Sequence, residues 1–65
     1  KMTPYELCQA VKKAGIKFDQ MIHEYGRWTH ISFAPEMRQQ TLTIMKPNNK
    51  YVQGIWTAAE YPSKV

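Results

Sequence analysis

The stretch Phe18–Phe33, FDQMIHEYGRWTHISF, decides how this chain folds. Two runs rich in aromatic and branched residues flank Tyr25-Gly26-Arg27, a pattern that predicts two strands folded back into a hairpin. Side chains alternate along a strand, so residues two apart share a face. With a three-residue loop, Tyr25 to Arg27, Glu24 lies opposite Trp28 and Ile22 opposite His30. One face then carries Phe18, Gln20, Ile22, Glu24, Trp28, His30 and Ser32. The other carries Asp19, Met21, His23, Thr29, Ile31 and Phe33. A two-residue loop, Tyr25-Gly26, shifts the pairing by one and brings His23 and Met21 onto a face with Trp28 and His30. The three-residue loop is preferred, because Met21, Ile31 and Phe33 then form an apolar backing for a helix.

That helix lies just upstream. Thr3-Pro4-Tyr5-Glu6 reads as its start: Thr3 caps, Pro4 suits the first helical position, and Glu6 closes a capping box. Leu7, Ala10, Val11 and Ala14 recur at helical spacing. Lys12 and Lys13 complement the dipole near the end, and Gly15 supplies a left-handed stop. Cys8 borders the apolar stripe and reads as a small core residue rather than a nucleophile, since no histidine is placed locally to activate it.

Downstream, Pro35 interrupts the second strand because it lacks an amide donor. Met37 to Gln40 is polar and compatible with one helical turn. Thr41-Leu42-Thr43-Ile44-Met45 alternates as a third strand, and Pro47-Asn48-Asn49 is a turn by composition. Lys50 to Trp56 reads as a fourth strand weakened by Gly54, and residues 57–65 as an irregular tail. The order predicts an α+β fold in a single domain, residues 1–65, with one N-terminal helix packed on a small antiparallel sheet.

Composition narrows the functional classes. A chain of 65 residues forms one domain at most and buries only roughly 60% of the surface that its unfolded form exposes. Its single cysteine excludes an intrachain disulfide. Two histidines and one cysteine cannot close a four-ligand zinc site without carboxylates or another chain. No apolar run is long enough to span a membrane, and Lys1-Met2 leads into a capped helix without a signal-peptide pattern. The net charge of +4 comes from scattered lysines and arginines rather than a run, which argues against nucleic acid as the partner.

Both histidines lie on the hairpin, and its polar face is the candidate for chemistry. His30 has the makings of a zinc ligand, with His23 the weaker candidate. Glu24 on the same face is placed to act as general base toward a metal-bound water. Trp28 can wall a pocket, Arg27 can bind a substrate carboxylate through its planar fork, and Gln20 completes the polar face. Each residue also has a structural reading: a satisfied or solvated histidine, a solvated strand-end glutamate, and core-anchoring tryptophans at 28 and 56.

The run MTPYELCQAVKKAGIKFDQMIHEYGRWTHISFAP, followed by MRQQTLTI, resembles the C-terminal half of the D-alanyl-D-alanine carboxypeptidase family of zinc peptidases. The branch it is most similar to is that of phage and prophage cell-wall enzymes. The resemblance covers about two-thirds of the chain and is carried by FDQMIHEYGRWTHISF, the downstream arginine and Leu42-Thr43-Ile44. It implies half of a hedgehog/DD-peptidase-like domain and zinc-dependent hydrolysis of peptidoglycan stem peptides at a bacterial cell wall. It also implies a metal ligand at His30. The family's other ligands come from an upstream S-x-H-x-x-G-x-A-x-D segment, which these residues lack. The family's base commonly sits three residues before the histidine, where this chain has Arg27; the nearest glutamate, Glu24, is six before it. The expectation is therefore one part of a peptidase site, to be completed by a missing N-terminal half or by another chain. Two rival readings come from other classes: a non-catalytic, self-associating module with exposed strand edges, and a basic β-ribbon for nucleic acid.

Overall fold

The computed structural model describes all 65 residues. Helix α1 spans Pro4–Ala14. The Thr3 hydroxyl accepts from Glu6 N–H, the Glu6 carboxylate accepts from Thr3 N–H, and Gly15 closes the helix at φ 72°. Strands β1 (Gln20–Glu24), β2 (Trp28–Ser32), β3 (Gln40–Ile44) and β4 (Val52–Gln53) form one sheet in the order β2-β1-β3-β4.

The hairpin adopts the three-residue-loop register, with Gln20 opposite Ser32, Ile22 opposite His30 and Glu24 opposite Trp28. Tyr25 and Gly26 both take positive φ, 57° and 67°, which lets the chain reverse with the right twist. Met21 and Ile31 therefore back the helix, in a core of Cys8, Val11, Phe18, Met21 and Ile55.

Two assignments of residues to faces do not hold. Phe18 lies upstream of the strand and turns into the helix-side core at 2% exposure, instead of sharing the face of His30. Phe33 lies just past the end of β2 and is 63% exposed, so it backs nothing. The alternation rule fails at both places because neither residue is within the paired strand.

The sheet is also mixed rather than wholly antiparallel: β3 runs parallel to β1, with Ile22 opposite Leu42 and Glu24 opposite Ile44. The cause is a short loop. After β2 ends beside the start of β1, residues 33–39 wrap around that start and set β3 down on the other side of β1. The wrap is clamped. Arg38 donates to Asp19 through Nε, Nη2 and its backbone N–H, at 2.9, 2.8 and 3.1 Å. The Gln39 side chain accepts from Phe18 N–H, and Gln39 N–H donates to Phe18 O.

The fourth strand is shorter than the seven residues expected, with only Val52–Gln53 paired. Gly54, at φ 97°, turns the chain so sharply that a Cβ there would sit 2.8 Å from the Trp56 ring. The Thr43 hydroxyl then donates to Gly54 O and accepts from Trp56 N–H, which ties the turn to β3 near its C-terminal end. The tail makes a turn and a 3-10 helix, Tyr61–Ser63. Tyr61 is buried, and its hydroxyl donates to Lys50 O and accepts from Lys50 N–H.

The clamp has a pH signature. The Arg38 side chain and then its backbone N–H hold the Asp19 carboxyl at about 2, below its ordinary value of 3.8. A carboxyl with a depressed folded pKa contributes stability above its unfolded pKa and loses it as pH falls toward the folded one. Thermal unfolding should therefore show the melting temperature dropping between about pH 4 and pH 2, and Asp19→Asn should flatten that limb. An unchanged acid limb in the variant would remove Asp19 from the account.

Candidate functional site: the open face of the sheet

Alternation and register sort the hairpin onto two surfaces. Met21, His23, Thr29 and Ile31 face α1. Gln20, Ile22, Glu24, Trp28, His30 and Ser32 form the open face, continued by Gln40, Leu42 and Ile44 of β3. Ile22, flanked by His30 and Leu42, is the apolar centre of this face.

Four expected site residues share the open face. Glu24 is half-buried, His30 is exposed, and Trp28 is 56% exposed. Gln20 donates through Nε2 to Gln40 Oε1 at 2.6 Å, so its side chain is committed to tying β1 to β3. Arg27 sits apart, in the hairpin loop, and lines a cavity of about 630 Å³ with Tyr25, Trp28, Met45, Lys46 and Ala58. Neither Glu24 nor His30 lines that cavity. Trp28 thus stands between the Glu24/His30 surface and a hollow carrying two cations. The only ion pair in the protein is Asp19–Arg38, which leaves Arg27 and Lys46 without acidic partners. A guanidinium, an ammonium and two aromatic side chains around one hollow suit a carboxylate with an apolar body.

The two histidines have opposite situations. His23 is 2% exposed, its ring tilted against Tyr5 with centroids 5.9 Å apart. His23 Nδ1 lies 2.9 Å from Trp56 O. A carbonyl only accepts, so Nδ1 carries the hydrogen, and this bond anchors the chain after β4 to the centre of the sheet. His23, the weaker ligand candidate, is a structural histidine. His30 is exposed and has no hydrogen-bond partner within the protein.

Cys8 is fully buried, 3.6 Å from the Thr29 hydroxyl, and burial pushes its thiol up. A thiol held protonated in a core is inert as a nucleophile. No three His, Cys, Asp or Glu side chains come together to hold a metal ion. The open face supplies one imidazole and one carboxylate, short of the three protein ligands that a catalytic zinc takes.

Sequence reasoning missed the structural weight of His23, Asp19, Arg38 and Thr43. Their partners lie 11 to 33 residues away in sequence, and no local spacing reveals them. It missed Lys46 as the second cation of the hollow for the same reason. Compared with protein-family models, with curated proteins and with solved structures, the chain matches none.

The division of labour between the histidines is measurable by chemical denaturation. His23→Ala removes a buried ring and orphans its carbonyl partner, and should cost about 2 kcal/mol or more. His30→Ala removes an exposed side chain and should stay within about 0.5 kcal/mol of the parent. Equal costs would mean that the two rings are not sorted as described.

Proposed function

We propose that this chain forms the C-terminal part of a zinc-dependent peptidase site for cell-wall stem peptides. His30 serves as a metal ligand, Glu24 as the general base, and Arg27 and Trp28 as substrate contacts. The observation that carries the reading is the hairpin register, which puts Glu24, Trp28 and His30 on one face with the His30 ring free. The sequence resemblance supplies the reaction class. The residues fit zinc in part: one imidazole and one carboxylate, with two further ligands needed from outside these residues. Zinc, when bound, supplies a Lewis acid and an activated water.

The chain's own contributions follow from its geometry. Glu24, half-buried beside the apolar Ile22 and Ile44, offers a proton acceptor on the same face as His30. Trp28 screens one side of that surface from water. Arg27 and Lys46 draw a negatively charged peptide terminus into the neighbouring hollow. Gln20 braces the face through Gln40.

Isothermal titration with zinc should give weak binding that His30→Ala abolishes and His23→Phe spares. The 65-residue chain alone, supplied with zinc and a stem pentapeptide, should release no D-alanine above background. Zinc uptake that survives His30→Ala would overturn the ligand assignment. Zinc-dependent release of D-alanine by the chain alone would overturn the need for outside ligands.

A further inference from the structure

Strand β2 is the outermost strand of the sheet and has β1 as its only neighbour. Just outside the two ends of β1, Tyr25 N–H donates to Ile44 O, Asp19 O accepts from Gln40 N–H, and Asp19 N–H donates to Ser32 O. Counting back from Tyr25, Met21 and His23 bond toward β3 and Ile22 and Glu24 toward β2, an alternation that ends at Asp19, whose N–H turns to β2. Ile22 and Glu24 thus face His30 and Trp28 as hydrogen-bonded pairs, while Ser32 O accepts from Asp19 N–H and Gln20 N–H donates to Ser32 Oγ. The N–H and C=O groups of Thr29 and Ile31 then point away from the sheet, along its edge.

Nothing in the sequence of this edge blocks it. Trp28-Thr29-His30-Ile31-Ser32 contains no lysine, arginine, acid, proline or glycine, the residues that natural edges use against pairing. The opposite edge is different: β4 has two residues and ends at the sharp turn of Gly54. Two large apolar side chains, Trp28 at 56% and Phe33 at 63% exposure, flank the open edge at its two ends.

We propose that β2 pairs antiparallel with β2 of a second copy of this chain about a two-fold axis at His30, and that the two His30 rings hold one zinc-class metal ion between them. The register follows from the strand's length. The one antiparallel pairing that matches all five residues with all five is centred on the middle residue, His30. It sets Thr29 against Ile31 of the second copy, so the outward backbone groups bond each other. His30 meets its own copy at a non-hydrogen-bonded position, where Cα atoms approach to about 4.5 Å and side chains are closest. Two imidazoles side by side on one face can supply two of the four ligands of a zinc-class ion, at Zn–N distances of about 2.0–2.1 Å, with solvent filling the other positions. The strand is uncharged, so the axis brings no like charges together.

The pairing shares with the peptidase reading only the affinity of His30 for zinc, and the two separate by stoichiometry. Sedimentation equilibrium with zinc should show a doubled mass with one zinc per two chains, and EDTA should reverse it. His30→Gln should weaken the zinc-loaded dimer by about tenfold or more. The register is tested by His30→Cys, which should oxidise to a cross-linked dimer while Trp28→Cys does not, Cys8 being buried. Monomer mass at every zinc concentration overturns the pairing, as does one zinc per chain without a change of mass. Cross-linking as readily at 28 as at 30 overturns the register, and a parent chain that doubles its mass without taking up zinc overturns the metal site.

Discussion

The fold depends on the clamp at the start of β1. Asp19 and Arg38 meet through a bidentate side-chain pair reinforced by a backbone N–H. A planar guanidinium matched to a carboxylate fixes direction as well as distance. It is this constraint that lets a seven-residue loop turn around the end of one strand and deliver the next one parallel to it. Gln39 locks the same crossing from the other side of the chain. Once β3 lies beside β1, Thr43 is positioned to hold the turn at Gly54. The His23 ring can then reach the carbonyl of Trp56, and Ile55 completes the core under α1.

A sheet built this way has one covered and one open side, and the sequence uses the sides differently. On the covered side every buried polar side chain is satisfied. His23, Thr43 and Thr29 spend their hydrogen bonds on backbone carbonyls or N–H groups of distant segments. On the open side the polar groups of Glu24 and His30 make no such commitments, and Ile22 and Leu42 supply an apolar floor. Ile22 and Ile44 are buried among their neighbours on this side, and the exposed part of it is the stretch of β2 that carries Trp28 and His30.

Much of the architecture was legible in the chain itself. The capping box at Thr3 and Glu6, the left-handed Gly15 and the hairpin register are local facts. They follow from spacing, from which residues tolerate positive φ, and from the need to put Met21 and Ile31 under a helix. The grouping of Glu24, Trp28 and His30 on one face follows from the same register. What stayed hidden was non-local. Nothing near Asp19 announces Arg38, so the parallel placement of β3 could not be read. His23 and His30 look alike in sequence, and only the path of the chain through Trp56 separates a core anchor from a free ring. Arg27 was expected to contact substrate from the hairpin loop beside the polar face, yet the loop carries it to a separate hollow with Lys46, which lies on no shared motif.

The sorting of the two imidazoles by the sheet is the claim on which every functional reading rests, and long-range nitrogen–proton NMR of the histidine rings tests it most directly. The account predicts one ring fixed with its hydrogen on Nδ1 and indifferent to added zinc, assigned to His23, and a second ring whose nitrogens shift on zinc addition, assigned to His30. A His23 ring that responds to zinc while the His30 ring does not would contradict it.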